Sequence, residues 1–203
     1  MKMNLPNQLT VIRMIMVPIF VVVLMVSDAV WASILGIVLF VAAAFTDMLD
    51  GKIARKHNLV TDFGKFLDPL ADKFMVIGAM LVILFRSMTA ETPNVLFCNL
   101  FFWSVVIVIF RELAVTSIRL VASGSKGIVI AANMLGKIKT CTQIACVIAC
   151  LAEPIFYGNI EALGFLMEYL PLSVVTSALM LVFTLWSGIN YIVSYWKYLD
   201  PEK

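Results

Sequence analysis

The sequence predicts an all-α integral membrane protein: six transmembrane helices, both termini cytosolic, and a polar cavity open to the cytosol. Three observations carry that expectation. Hydrophobic residues fill 62% of the 203 positions and charged residues only 14%, with a mean hydropathy of +1.00, whereas soluble domains carry about a quarter charged residues. The apolar residues fall in runs of roughly twenty, the length that crosses a hydrocarbon core. The charges gather between those runs, with the basic ones on alternate connections. Such spans leave no room for a soluble domain, so residues 1–203 are expected to form one membrane domain, with a short polar segment at 1–8 and a charged tail at 197–203. A net charge of +2 is too small to favour nucleic acid as a partner.

MKMNLPNQ is polar and turn-like, and Pro6 before Asn7 predicts a helix capped near Asn7 and running over about 9–26. Arg13 interrupts its apolar run early and no clean small-residue cleavage pattern follows, so the segment is expected to be retained rather than removed as a signal peptide. Asn7, Thr10 and Arg13 fall at its cytosolic end. Ser27 and Asp28 make a turn, and Val30 to about Arg55 forms a long second helix. A third helix over 65–86 carries Asp68 and Asp72 near its start, with Pro69 tolerable in the first turn. Arg86 to Asn94 reads as a polar loop. The fourth helix, about 95–121, places Arg111, Glu112, Thr116 and Arg119 toward its second end, where ionisable side chains are expected to face the bundle rather than lipid. The turn SGSKG leads to a fifth helix from near Val129 that contains GKIKT. In it Lys137 and Lys139 stand about 200° apart, so they are not expected to face one ligand together. Glu153 to Pro171 reads as an acidic, turn-rich loop, and the sixth helix runs over about 172–196. Cys98, Cys141, Cys146 and Cys150 form no CxxC pair and read as small packing residues.

Six crossings put both termini on one side. On that side fall Lys2, Arg13, Lys52, Arg55, Lys56, Lys65, Lys73, Arg111, Arg119, Lys126, Lys137, Lys139, Lys197 and Lys203, with Arg86 alone opposite. The positive-inside rule makes that side cytosolic.

The stretch DMLDGKIARKHNLVTDFGKFLDPLAD, 47–72, lies at the same face. Asp47 and Asp50 are one helical turn apart, and Gly64, Asp68 and Asp72 repeat every fourth residue on the next helix, so two helices aim four carboxylates into one gap. A carboxylate at mid-bilayer costs about 2.5–3.5 kcal/mol even on the lenient insertion scale, which points to a hydrated cavity near the interface. Four carboxylates kept ionised together need cations, and oxygen ligands favour Mg²⁺, Mn²⁺ or Ca²⁺. Gly51, Ala54 and Gly64 are small where a large ligand approaches backbone, and Arg55 offers a planar fork for phosphate oxygens. His57 among basic residues reads as solvated rather than as a ligand, and Asp62 as a helix cap or loop solubiliser.

These residues match D-x2-D-G-x2-A-R-x8-G-x3-D-x3-D at every fixed position: Asp47, Asp50, Gly51, Ala54, Arg55, Gly64, Asp68 and Asp72. The chain thereby resembles the CDP-alcohol phosphotransferases. The resemblance implies transfer of a phosphatidyl group from CDP-diacylglycerol to an alcohol, with release of CMP and two divalent ions, Mg²⁺ or Mn²⁺. It implies that Asp47, Asp50, Asp68 and Asp72 hold the metal and that Asp72 is also the general base for the acceptor hydroxyl. Asn7, Thr10, Asp47, Gly51, Ala54, Arg55, Thr61 and Gly64 are then expected around CDP-diacylglycerol. It implies a homodimer in the cytoplasmic membrane, with the active site facing the cytosol.

Arg111, Arg119, Lys137 and Lys139 are cations beyond the one assigned to the nucleotide, and they suit an acceptor that carries a phosphate. NLPNQLTVIR, REL…TSIR and GKIKT resemble segments of the branch of that family using sn-glycerol 3-phosphate. Inositol phosphate, or phosphatidylglycerol in cardiolipin formation, are the competing acceptors, and an internal ion pair that merely orders the bundle is the competing role for Arg111 and Glu112. A metal-ion transporter also carries membrane aspartates but would place them mid-span between broken helices. A non-catalytic lipid-binding or assembly protein would have no need of Asp72.

Overall fold

The computed structural model describes residues 4–56, 61–126 and 134–195, without the side chains of 48–56, 62, 63, 65, 120–126 and 161. It contains α1 (Leu5–Val26), α2 (Val30–Lys56), α3 (Asp62–Thr89), α4 (Val95–Lys126), α5 (Met134–Asn159) and α6 (Pro171–Tyr195), with a 3-10 turn over Glu161–Met167. No strand occurs among the described residues. Five stretches, Leu5–Val26, Val30–Asp47, Val95–Arg119, Met134–Asn159 and Ala162–Tyr195, are long and apolar enough to cross a membrane. Although α3 has 28 residues, it is not among them, because Asp68, Asp72 and Lys73 at one end and Arg86 at the other leave it uncharged only over 74–85.

Several boundaries differ from expectation, each for a local reason. The first helix starts at Leu5, not near residue 9, because Asn4 is the cap: its Oδ1 accepts from the Asn7 N–H at 3.1 Å. That puts Asn7 inside the helix, buried. Thr61 rather than Asp62 caps α3, accepting from the Gly64 N–H at 3.0 Å. Pro69 therefore lies in the helix interior instead of its first turn. At the far end α3 continues through Arg86 to Thr89, and Arg86 binds Asp28 at 3.0 Å and Ser33 at 3.3 Å. The SGSK of the expected turn is the end of α4. The expected start of the fifth helix near Val129, the tail and His57 lie outside the described residues.

The bundle closes around α3 and α5. Against α1 pack α2 and α3, against α6 pack α4 and α5, and α5 also meets α2 and α3. Phe20, Leu24, Phe40, Met80, Phe101, Val108, Val147 and Met180 form its apolar centre. Opposite faces such as Ile12, Ile15, Ile19 and Val22 of α1 stay exposed, as a lipid-facing helix requires.

Glu153, expected in a loop, is instead a buried residue of α5. Its carboxylate accepts from the Leu172 N–H at 2.7 Å and the Ser173 N–H at 2.6 Å. These are donors of the first turn of α6, which has no intrahelical partners for them. Pro171 has no N–H to satisfy, and the Val174 N–H reaches the Leu170 carbonyl at 2.9 Å, so the whole turn is accounted for. The negative charge also complements the positive helix end. Glu153→Ala is expected to lower stability by about 2–4 kcal/mol, since it strands two charge-assisted donors, while Glu153→Gln keeps one acceptor and loses less. Thermal inactivation in detergent measures this, and an alanine variant as durable as the parent would refute the role.

Candidate active site

Three residues on one stripe of α1 organise the acidic side of the site. Arg13, wholly buried, donates from Nη1 to Asp47 Oδ1 at 2.7 Å. One turn earlier, Thr10 Oγ1 lies 2.8 Å from Asp68 Oδ1 and 3.1 Å from the Pro6 carbonyl. Its single proton goes to the nearer, charged acceptor. One turn before that, Asn7 Oδ1 accepts from the Thr61 hydroxyl at 3.1 Å. This seam admits no side chain at position 64: a Cβ on Gly64 would stand 2.9 Å from Asn7 Oδ1 and 3.3 Å from Thr61 Oγ1. Gly64 is thus small because α1 and α3 touch there. Asn7, Thr10, Thr61, Gly64, Asp47 and Asp68, all expected in the site, meet along this seam.

Asp72 follows Asp68 by one turn and faces a small cavity between α3, α4 and α5, shared with Lys73, Glu112, Lys139 and Gln143. That one-turn step along α3 joins the acidic seam to the cavity. Asp50, Gly51, Ala54 and Arg55 stand on the last turns of α2, and their side chains lie outside the described residues.

Among the described residues no three His, Cys, Asp or Glu side chains form a metal-binding group, and Asp50 is not one of those residues. The donor chemistry nevertheless fits a hard divalent cation. Asp47 and Asp68 are carboxylates from two helices, each braced at one oxygen by a donor from α1, the kind of outer support that orients ligating carboxylates.

The basic residues separate. Glu112 pairs with Arg111 at 3.2 Å and also with Lys139, so the expected acceptor cations Arg111 and Lys139 converge on a carboxylate at the cavity. Lys137 is exposed, as its angular offset from Lys139 predicts. Arg119 donates to the Tyr191 hydroxyl and lies over that ring at 5.1 Å, with Arg111 over the same ring at 5.8 Å. Gly188 lets α6 approach, since a Cβ there would be 3.0 Å from Arg111 Cγ.

Sequence reasoning missed Tyr191, Lys73 and Gln143, and it left Arg13 without a task. Gln143 sits four residues after Lys139, a spacing that puts both on one helical face. Nothing near Tyr191 in the sequence signals a site.

A family model described as CDP-alcohol phosphatidyltransferase matches residues 3–193. A relative from Bacillus subtilis (strain 168), named CDP-diacylglycerol--glycerol-3-phosphate 3-phosphatidyltransferase, is 38% identical over 98% of this chain and 98% of its own length. A relative of the same name from Yersinia enterocolitica is 34% identical over 99% of this chain and 100% of its own. Another, from Rickettsia bellii, is 45% identical over 46% of this chain.

Proposed function

The chain belongs to the CDP-alcohol phosphatidyltransferase family, and from that premise we propose that it transfers a phosphatidyl group from CDP-diacylglycerol to sn-glycerol 3-phosphate. The products are phosphatidylglycerol phosphate and CMP. The observation that carries this reading is the position of Asp72, one turn along α3 from the braced Asp68 and in one cavity with Lys139.

Asp47, Asp50, Asp68 and Asp72 would hold two divalent cations, Mg²⁺ or Mn²⁺, which would supply neutralisation of the diphosphate and polarisation of the attacked phosphorus. Gly51, Ala54, Arg55 and Gly64, with Asn7, Thr10 and Thr61, take the cytidine diphosphate. Asp72 accepts the proton of the acceptor's primary hydroxyl as its oxygen bonds to the phosphatidyl phosphorus and the bond to CMP breaks. Lys139 and Arg111 draw the acceptor phosphate beside Asp72, with Arg119 further along α4, while Lys137, turned away from Lys139, stays outside that group. Glu112 keeps the two inner cations in place when no phosphate is present.

Purified protein given CDP-diacylglycerol with glycerol 3-phosphate, inositol phosphate, phosphatidylglycerol or serine is expected to release CMP fastest with glycerol 3-phosphate. Chelator should stop the reaction and Mg²⁺ or Mn²⁺ restore it. Faster turnover of another acceptor would move the assignment within the family.

The one membrane domain, residues 1–203, crosses the cytoplasmic membrane six times as a homodimer, α3 included, with both termini and the site at the cytosolic face. In a background lacking the native cysteines, cysteines at Lys56 and Lys126 are expected to react with impermeant reagent from the cytosolic side, and one at Glu161 from the other. Reaction of positions 56 and 161 from one face would overturn this topology.

A further inference from the structure

The cavity holding Asp72 is built in two layers, one helical turn apart. Its outer layer is charged: Asp72 from α3, Glu112 from α4 and Lys139 from α5. One turn deeper, the same three helices contribute Val76, Val108 and Gln143. All three deep residues are buried, at 5%, 0% and 1% exposure. Gln143 is thus a lone amide in an otherwise apolar floor, and its Nε2 has no hydrogen-bond partner in the protein. A buried amide donor left unmet is unfavourable, and valine or leucine would fill this position without that penalty. The donor points to something in the cavity that accepts from it.

We infer that Gln143 reads the acceptor alcohol: its side-chain amide donates to the secondary hydroxyl oxygen of glycerol 3-phosphate at the cavity floor and selects acceptors that carry one. This rests on the function proposed above. The phosphate is held in the charged outer layer by Lys139 and Arg111, and the primary hydroxyl meets Asp72 in the same layer. The carbon between them projects its hydroxyl inward, where Val76 and Val108 offer no polar partner. A site built to hydrogen-bond a substrate hydroxyl rejects the analogue lacking it more strongly than an apolar pocket rejects an added group.

The test pairs one change in the protein with one in the substrate. Glycerol 3-phosphate and 3-hydroxypropyl phosphate, which lacks the secondary hydroxyl, are compared as acceptors for the parent, Gln143→Met and Gln143→Leu. Both variants keep an apolar side chain of similar size, so either suffices if the other fails to fold. CDP-diacylglycerol affinity reports that the site is intact. The parent is expected to prefer glycerol 3-phosphate by about 10-fold or more in kcat/KM, and the variants to lower that preference to within about 3-fold. The change should appear in the glycerol 3-phosphate KM, with that for CDP-diacylglycerol unmoved. Equal losses on both acceptors, as a structural role or an amide satisfied only by a resident water would give, overturn the inference and leave the function standing. A parent inactive with glycerol 3-phosphate but active with another acceptor overturns the function, and the inference with it.

Discussion

Asp72→Asn is expected to lower turnover by about 10²–10⁴, the range that a positioned general base contributes, while the protein remains folded and binds CDP-diacylglycerol. The amide preserves the volume of the side chain in a tight cavity, so the neighbours Lys73, Glu112, Lys139 and Gln143 need not move. What is lost is the negative charge and the ability to take a proton. Release of CMP measures the first outcome, and calorimetric titration with CDP-diacylglycerol in micelles the second. Near-normal turnover would remove Asp72 from the chemistry. Lost turnover together with lost CDP-diacylglycerol binding would assign it to the nucleotide lipid instead.

Lys139→Met separates two roles that its geometry allows. Lys139 and Arg111 share Glu112, whose side chain is 13% exposed and that of Lys139 8%. Breaking a buried pair by removing one partner costs about 3–5 kcal/mol, whereas replacing both partners is often close to neutral. Lys139→Met leaves Glu112 paired with Arg111, so no carboxylate is stranded and the variant is expected to lose less stability than that. Removing Glu112 as well strands Arg111, so Lys139→Met with Glu112→Gln should be less stable than the single variant. If the lysine serves only to order the bundle, activity falls in step with stability in both variants. If it holds the acceptor phosphate, Lys139→Met stays folded with a glycerol 3-phosphate KM raised at least about 10-fold, the loss expected for one charge-assisted contact.

The helical class and five of the helices were legible because apolar run length depends on a single variable, the thickness of the hydrocarbon, whereas α3 has no uncharged run of that length. The aspartate row was legible because carboxylates beside such runs stand out by composition alone. Helix ends were less so: Asn4 and Thr61 cap their helices one to three residues from where Asn7 and Asp62 seemed placed to do so, a choice decided by neighbouring backbone rather than residue type. Glu153 was misread because it sits beside Pro154 and before a turn-rich stretch, both loop signals, while its actual partner is the start of another helix. Tyr191 was invisible for a related reason. It lies in an apolar helix 72 residues from Arg119, and only the packing of α6 on α4 joins them.

The pairing of Arg13 with Asp47 also constrains how the chain is made. Arg13 lies in the N-terminal half of α1 (Leu5–Val26), the half proposed to lie toward the cytosol, where an isolated helix would keep its guanidinium solvated only by snorkelling to the interface. Its carboxylate partner, Asp47 of α2, lies 34 residues further along the chain, so it leaves the ribosome later. During that interval α1 has no internal means of neutralising its own charge. The pair that fixes α1 against α2 therefore forms only once both helices have been made, and it closes beside the carboxylates proposed to hold metal.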